Sequence, residues 1–252
     1  EFRRVLFRSV TPAGPSPLGA APGIWRLNDV AYWLKQGLWP DASADAYWGY
    51  TSLLLSTTAL GNANNNLFVD SSGAFNPISR TGNTTQGSFT PYGSLWSNYF
   101  GATGQYLSVP YSSAFNLTGD FTVECWINPG NLPSTTGNAA QSYERVFSFG
   151  TYNAANSIGL EINSNDSGNV RKFICWYNGA SYSLSTNNAV APSTWYHIAL
   201  VRSGTVITLY INGTSTGLTI TGASAAVNTS QALYRSEEHT SELQSRGLIS
   251  YA

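Results

Sequence analysis

An antiparallel β-sandwich is the fold class that this 252-residue sequence predicts, and three observations predict it. Charged residues are only 10% of the chain and aromatics 13%, with Gly, Ser, Thr and Asn filling much of the rest. That is the composition of short strands joined by turns, and it makes the chain all-β. Apolar and polar residues alternate at period two in several runs, most strictly in FTVECWIN, where Phe121, Val123, Cys125 and Ile127 share one face and Thr122, Glu124 and Trp126 the other. Turn formers punctuate these runs, and Asn212-Gly213 is the strongest hairpin signal among them.

The two ends are set aside first. Back-translating Arg235–Leu243, RSEEHTSEL, as AGA TCG GAA GAG CAC ACG TCT GAA CTC gives a reverse complement that encodes EFRRVLFRS, which is Glu1–Ser9 without a mismatch. Inverted copies at both ends are what a sequencing library builds, and the string resembles a library adapter. Residues 1–9 and 235–252 are therefore read as adapter-derived scar and kept out of fold reasoning. Between them lies a fragment expected to be open at both ends. Without Arg3, Arg4, Arg8, Arg235, Arg246, Glu1, Glu237, Glu238 and Glu242, seven basic and nine acidic residues remain, a formal charge of −2. Charge this sparse offers no patch to neutralise a run of phosphates, so nucleic acid is excluded as a partner. No apolar run approaches the roughly 18 residues of a membrane span.

Residues 10–46 open with TPAGPSPLGAAPG, a Pro/Gly/Ala stretch read as an extended linker. Leu27, Val30, Ala31 and Leu34 then recur at helical spacing, with Asn28 as cap and Gly37 and Pro40 as stop, which predicts one short amphipathic helix. With Trp25, Trp33 and Trp39 around it, that helix carries more apolar surface than it can bury alone and is expected to dock on a partner.

The sandwich is placed at 51–234. SLLLS is its first strand, followed by a loop region marked by GNANNN, DSSG, NP and TGN. The further strands are QYLSV, FTVECWIN, RVFSFG, SIGLEIN, VRKFICWYN, SYSLST, WYHIALVR and TVITLYING. Cys125 and Cys175 each precede a Trp inside a strand and read as small buried thiols.

DFTVECWINP followed by STWYHIALVRSGTVITLYINGT resembles the core signature of the laminin-G-like, concanavalin A-like lectin/glucanase jelly rolls, and LLLS, FVDSSG and GQYLSV resemble their opening strands. The wording GIWRLNDVAYWLKQGLWP, TTQGSFTPYGSLWSNYF and GQYLSV is similar to structural proteins of marine tailed phages. The resemblance implies a tail-associated domain on a virion or extracellular surface, with a cell-surface glycan, other virion proteins or further copies of itself as partners. It also implies a closing strand beyond QALY that pairs near the first one, so the jelly roll is expected to be incomplete at its C-terminal strands.

Relatives of this fold include glycosidases, which need two carboxyl groups about 5–10 Å apart. The E-x-D-x-x-E arrangement of the related glucanases is absent, and Glu124 and Glu161 stand alone on separate strands. His197, inside WYHIALV, has no Ser-His-acid set to join and reads as a core or sheet residue. No catalytic residue is assigned, and the chain is read as not an enzyme. No cofactor is required, although calcium, which relatives bind at loop ends, is a candidate at Asp70 and Asp166, with Asn163, Asn165 and Asn169 as further oxygen donors. Asp and Asn also populate turns for conformational reasons alone.

Sugar binding is the positive expectation. Aromatic faces stack on sugar rings while Asn, Ser and Thr supply hydrogen bonds, which nominates Trp176, Tyr177, Tyr182 and Tyr152. Alternation places Trp176 and Tyr177 on opposite faces of their strand, so at most one of them lines a given surface. Core packing competes with ligand contact at each position. The leading reading is a non-catalytic carbohydrate-binding or adhesion module of a virion protein; passive decoration of the virion is the alternative, and a glycoside hydrolase or its accessory module the remote one.

Overall fold

Period-two runs become strands wherever they can bury one face, and the computed structural model follows that rule. It describes residues 50–56, 66–87, 97–101, 104–130, 142–164, 168–228, 230–235 and 243–250. The chain divides into a unit Glu1–Tyr50, nearly all of it outside the described residues, and a unit Thr51–Ala252, to which everything below refers. The linker and helix expected within 10–46 lie outside the described residues.

The strands in chain order are β1 (Leu53–Ser56), β2 (Val69–Asp70), β3 (Ser79–Thr81), β4 (Thr85–Gly87), β5 (Ser97–Phe100), β6 (Tyr106–Val109), β7 (Phe121–Pro129), β8 (Ser142–Phe149), β9 (Ile158–Ser164), β10 (Lys172–Tyr177), β11 (Ala180–Ser183), β12 (Tyr196–Ser203), β13 (Val206–Ile211), β14 (Thr214–Thr221), β15 (Leu233–Arg235) and β16 (Leu243–Ser250). One sheet runs β14-β13-β12-β7-β16-β1-β2, with β5 also paired to β16 and β4 to β5. The second runs β11-β10-β9-β8-β15-β6-β3. All ladders are antiparallel, and the sheets enclose a core that includes Leu53, Phe121, Ile127, Phe149, Leu160, Phe173 and Leu209. The all-β sandwich stands.

Local chemistry explains the particular boundaries. Asn212 and Gly213 both adopt positive φ, 50° and 77°, and join β13 to β14 with Ile211 opposite Thr214, the two-residue turn whose twist suits a hairpin. On β7, Phe121, Val123, Cys125 and Ile127 are buried while Thr122, Glu124 and Trp126 keep partial exposure, as the alternation predicts. Cys125 and Cys175 are free and buried. Burial pushes the Cys125 thiol up to about 11 and raises Cys175 as well, so both are packing residues with little thiolate.

Two features were not foreseen. Within the region read as loop, β3 forms beyond the FVDSSG strand already expected, and the turn after β2 is held by Asp70. This carboxylate is 2% exposed and accepts from the Leu54 and Ser72 amides and the Ser72 hydroxyl, and from both the amide and the side-chain nitrogen of Asn76, at 2.7–2.9 Å. Burial raises the carboxyl's pKa, but the hydrogen bonds from Leu54, Ser72 and Asn76 outweigh it, and the net shift is downward. The second feature is the part played by residues set aside as adapter-derived. Arg235 ends β15, and Leu243–Ser250 pairs along β7 on one side and with β1 and β5 on the other. That is the place beside the first strand where a closing strand was expected. Ladder bonds are made by backbone groups, so a segment of any origin can occupy it.

Candidate ligand-binding face

The outward face of the second sheet is built by register. One row of directly paired residues crosses all seven strands: Ser181, Trp176, Gly159, Ser148, Tyr234, Ser108 and Ser79. Their chain neighbours Cys175, Tyr177, Leu160, Phe147, Phe149, Leu233 and Leu107 belong to the core, so the row points away from it. Beside this row lies a second, Arg145, Glu161, Ile174 and Ser183, and beyond it a third, Tyr143, Asn163 and Lys172. The ladder shift between Arg145 and Phe147 makes Val146 an extra residue, a bulge that turns Arg145 outward while keeping Phe147 inward.

Trp176 faces outward yet is 0% exposed. Its indole lies across Gly159, where a Cβ would stand 2.0 Å from Cζ2 and 2.4 Å from Cε2. From above it is covered by Tyr152, whose ring centroid is 5.0 Å away at 60°, and by the Arg145 guanidinium, 5.3 Å from the indole and 5.5 Å from the Tyr152 ring. Such cation–π contacts favour a guanidinium held flat over both rings. Tyr152 itself is 47% exposed and is presented by a tied-down loop: Ser157 donates to the Ala154 carbonyl, Asn156 N–H to Asn178 Oδ1, and Thr151 and Gln231 bond side chain to side chain.

Beneath this aromatic cover sits Glu161, 1% exposed, its Oε1 accepting from Asn163 Nδ2 at 3.0 Å. Burial raises its pKa, against the lowering effects of Asn163 and Arg145. Trp176 Nε1, Ser148 Oγ and Asn163 Oδ1 are buried on this face without a hydrogen-bond partner in the protein. Buried polar groups are ordinarily paired, so these are exceptions on this face. Farther along the sheet, Tyr106 and Tyr234 stack edge to face at 5.5 Å.

Of the four aromatics nominated from sequence, the structure brings Trp176 and Tyr152 together and sends the other two elsewhere. Tyr177 is buried on the core face, its hydroxyl donating to the Ala225 carbonyl, and Tyr182 packs against the core on the same side. Alternation is the reason, since Tyr182 pairs with Cys175 and both share the parity of Tyr177. Of the calcium candidates, Asp70 already receives five hydrogen bonds, which a metal would have to displace, and Asn163 bonds Glu161. Asn165 and Asp166 lie outside the described residues; Asn169 is partly exposed. Among the described residues no three His, Cys, Asp or Glu side chains gather as a metal site. On the other sheet, His197 Nε2 lies 3.5 Å from Glu124 Oε2 and its ring 5.4 Å from Trp126, on the outward face.

Comparison with known proteins agrees with this architecture. Among solved structures, the binding domain of Paraclostridial Mosquitocidal Protein 1 superposes with a TM-score of 0.61 at 13% identity, over 81% of this chain and 49% of that one. The binding domain of Botulinum Neurotoxin DC in complex with SialylT gives 0.59 at 16%, over 81% and 48%. This chain thus spans about half the length of these structures. No curated protein sequence matches it. Residues 100–250 match the family model Laminin_G_3, described as the concanavalin A-like lectin/glucanases superfamily, and the chain belongs to that family.

Proposed function

We propose that this domain is a non-catalytic carbohydrate-binding module whose ligand sits on the outward face of the second sheet, against Tyr152 and the Arg145–Trp176 stack. The observation that carries this reading is an exposed ring, Tyr152, presented by an anchored loop over Trp176 on an outward sheet face. Sugars present apolar ring faces and dense hydroxyls, which is the chemistry such a surface complements. Support for a binding role without hydrolysis comes from the carboxylates: Glu161 is the one acid on that face among the described residues, while hydrolysis takes two. The two superposing structures named above are binding domains, one of them in complex with SialylT. The setting we read for the module is a virion or other extracellular surface, from the wording it shares with tailed-phage structural proteins.

The test is glycan-array binding of the wild-type chain and of Tyr152→Ala, with thermal melts to establish that both are folded. Binding lost in the variant at an unchanged Tm is the expected result. Silence of the wild type across a broad array sinks the proposal and favours passive decoration, and release of reducing sugar from any bound glycan would replace it with a hydrolase.

A further inference from the structure

The polar groups that gather beside Tyr152 carry no charge. Asn153 follows it in the chain in the left-handed region, φ 52°, a conformation that asparagine tolerates. Ser181 stands directly opposite Trp176 on the β10–β11 ladder, and its hydroxyl lies 3.5 Å from Asn153 Oδ1. That contact is too long to satisfy either side chain, and both residues are exposed. The β10–β11 turn keeps them in place: the Asn178 amide donates to the Ser157 carbonyl at 2.9 Å, and Asn178 Oδ1 accepts from the Asn156 amide at 3.0 Å. Thr151 and Gln231, also exposed and uncharged, bond each other on the far side of the loop. The cations of this face are engaged or distant. Arg145 faces Glu161 across the β8–β9 ladder, where its charge opposes the burial that raises that carboxyl's pKa, and its guanidinium is stacked on Trp176 and Tyr152. Lys172 lies four residues from Trp176 along β10, about 13 Å at strand spacing and beyond the screening length of roughly 8 Å in physiological salt.

Resting on the carbohydrate reading above, we infer that the ligand is a neutral saccharide, its ring stacked on Tyr152 and its hydroxyls read by Asn153 and Ser181. A sugar hydroxyl both donates and accepts, as do a side-chain amide and a serine hydroxyl. A carboxylate only accepts, and it is bound best by charge-assisted donors, which Thr151, Tyr152, Asn153, Ser181 and Gln231 do not supply.

The experiment uses an array in which each neutral glycan is printed beside the analogue whose terminal primary alcohol is oxidised to a carboxylate, probed with the wild-type chain, Asn153→Asp and Ser181→Ala, each checked by thermal melting. The neutral form should bind at least about threefold tighter than its acid, one neutral hydrogen bond's worth of discrimination. Titration of the best neutral binder should give a Kd that changes by less than about twofold between about 50 and 500 mM NaCl, since no ion pair is there to be screened. Asn153→Asp suits the same backbone and loses both amide donors; it and Ser181→Ala should each weaken neutral binding about three- to tenfold at an unchanged Tm. Acid forms bound as tightly as the neutral ones or tighter, a Kd that rises steeply with salt, or variants that bind as the wild type does overturn the inference while leaving the carbohydrate module standing. Absence of binding to every glycan overturns both.

Discussion

Gly159 is where packing on the candidate face is most sharply tested, because its missing Cβ is the floor on which Trp176 lies. Its φ lies outside the left-handed region, so alanine meets no backbone objection; the objection is the indole, 2.0 Å from where the methyl would go. A rigid ring clamped between Gly159 and the Tyr152–Arg145 cover cannot give way without uncovering itself. Overpacking of this kind costs about 1–3 kcal/mol. At roughly 2–4 °C per kcal/mol for a domain of this size, Gly159→Ala should lower Tm by about 2–12 °C. Trp176→Ala alone should cost about 3–5 kcal/mol through lost burial. In the Trp176→Ala background the sign of the glycine substitution should reverse. With the indole gone, alanine is favoured over glycine inside a strand by about 0.5–1 kcal/mol. The double-mutant cycle, read from urea melts, should therefore return a coupling of about 1.5–4 kcal/mol. A coupling below about 0.5 kcal/mol would mean that the indole does not dictate the glycine, and the account of how Trp176 is held would fail.

Asp70→Ala strands buried donors from Leu54, Ser72 and Asn76 and should cost about 3–5 kcal/mol in urea melts; a loss under about 1 kcal/mol would contradict its role as the knot of the β1–β2 turn. Because the Asp70 carboxyl is lowered in the folded state, its contribution is complete above the ordinary value of about 3.9 and is lost as pH falls through the folded one. Asp70→Asn should accordingly flatten the acid limb of the Tm-versus-pH curve, and an unchanged limb would refute the assignment. Neither Cys125 nor Cys175 should react with an aromatic disulfide reagent at pH 8 until denaturant is added; prompt labelling of the native protein would contradict their burial. Deleting 243–250 bares β1, β5 and β7 along ladders now paired to β16, and concentration-dependent association in size-exclusion chromatography should follow. A monodisperse monomer with the parental Tm would count against that strand's role.

Most of the fold is legible because its strands are half-buried and written at period two. FTVECWIN and TVITLYING give both the strand and its inward face, and Asn212-Gly213 gives the turn, since the positive φ at both positions is what those residues tolerate. The short strands β3 and β4 escaped for an equally physical reason. With three residues each, they have no period to read, whereas the turn after β2 exists because one carboxylate gathers donors from β1, Ser72 and Asn76. A side chain that organises backbone leaves no repeating pattern, only an Asp in a loop, and such an Asp is equally consistent with a metal ligand. The β16 position is illegible from side chains for the complementary reason that backbone pairing fills it.

The candidate face was legible in its parity and not in its membership. Alternation separates Trp176 from Tyr177, and the ladder carries that separation through. What places Arg145 over Trp176, however, is the bulge at Val146, without which Arg145 and Phe147 would share one face with their neighbours out of step. Nothing in SYERVFSFG announces that extra residue. The same holds for Glu161 and Asn163, which read as isolated strand residues until pairing brings Arg145 opposite Glu161 and closes the bond between the two. A row of residues from seven strands has no counterpart in the linear order, so sequence can nominate its most conspicuous member, Trp176, but not the arginine that covers it. The bulge absorbs Val146 as an unpaired residue, so that Arg145 and Phe147, two positions apart, stand opposite the adjacent residues Glu161 and Leu160. Deleting Val146 should make Arg145 and Phe147 consecutive, opposite Glu161 and Leu160, so Arg145 should stay outward over Trp176 and glycan binding should survive; loss of that binding in a chain that still folds would refute this account of the bulge.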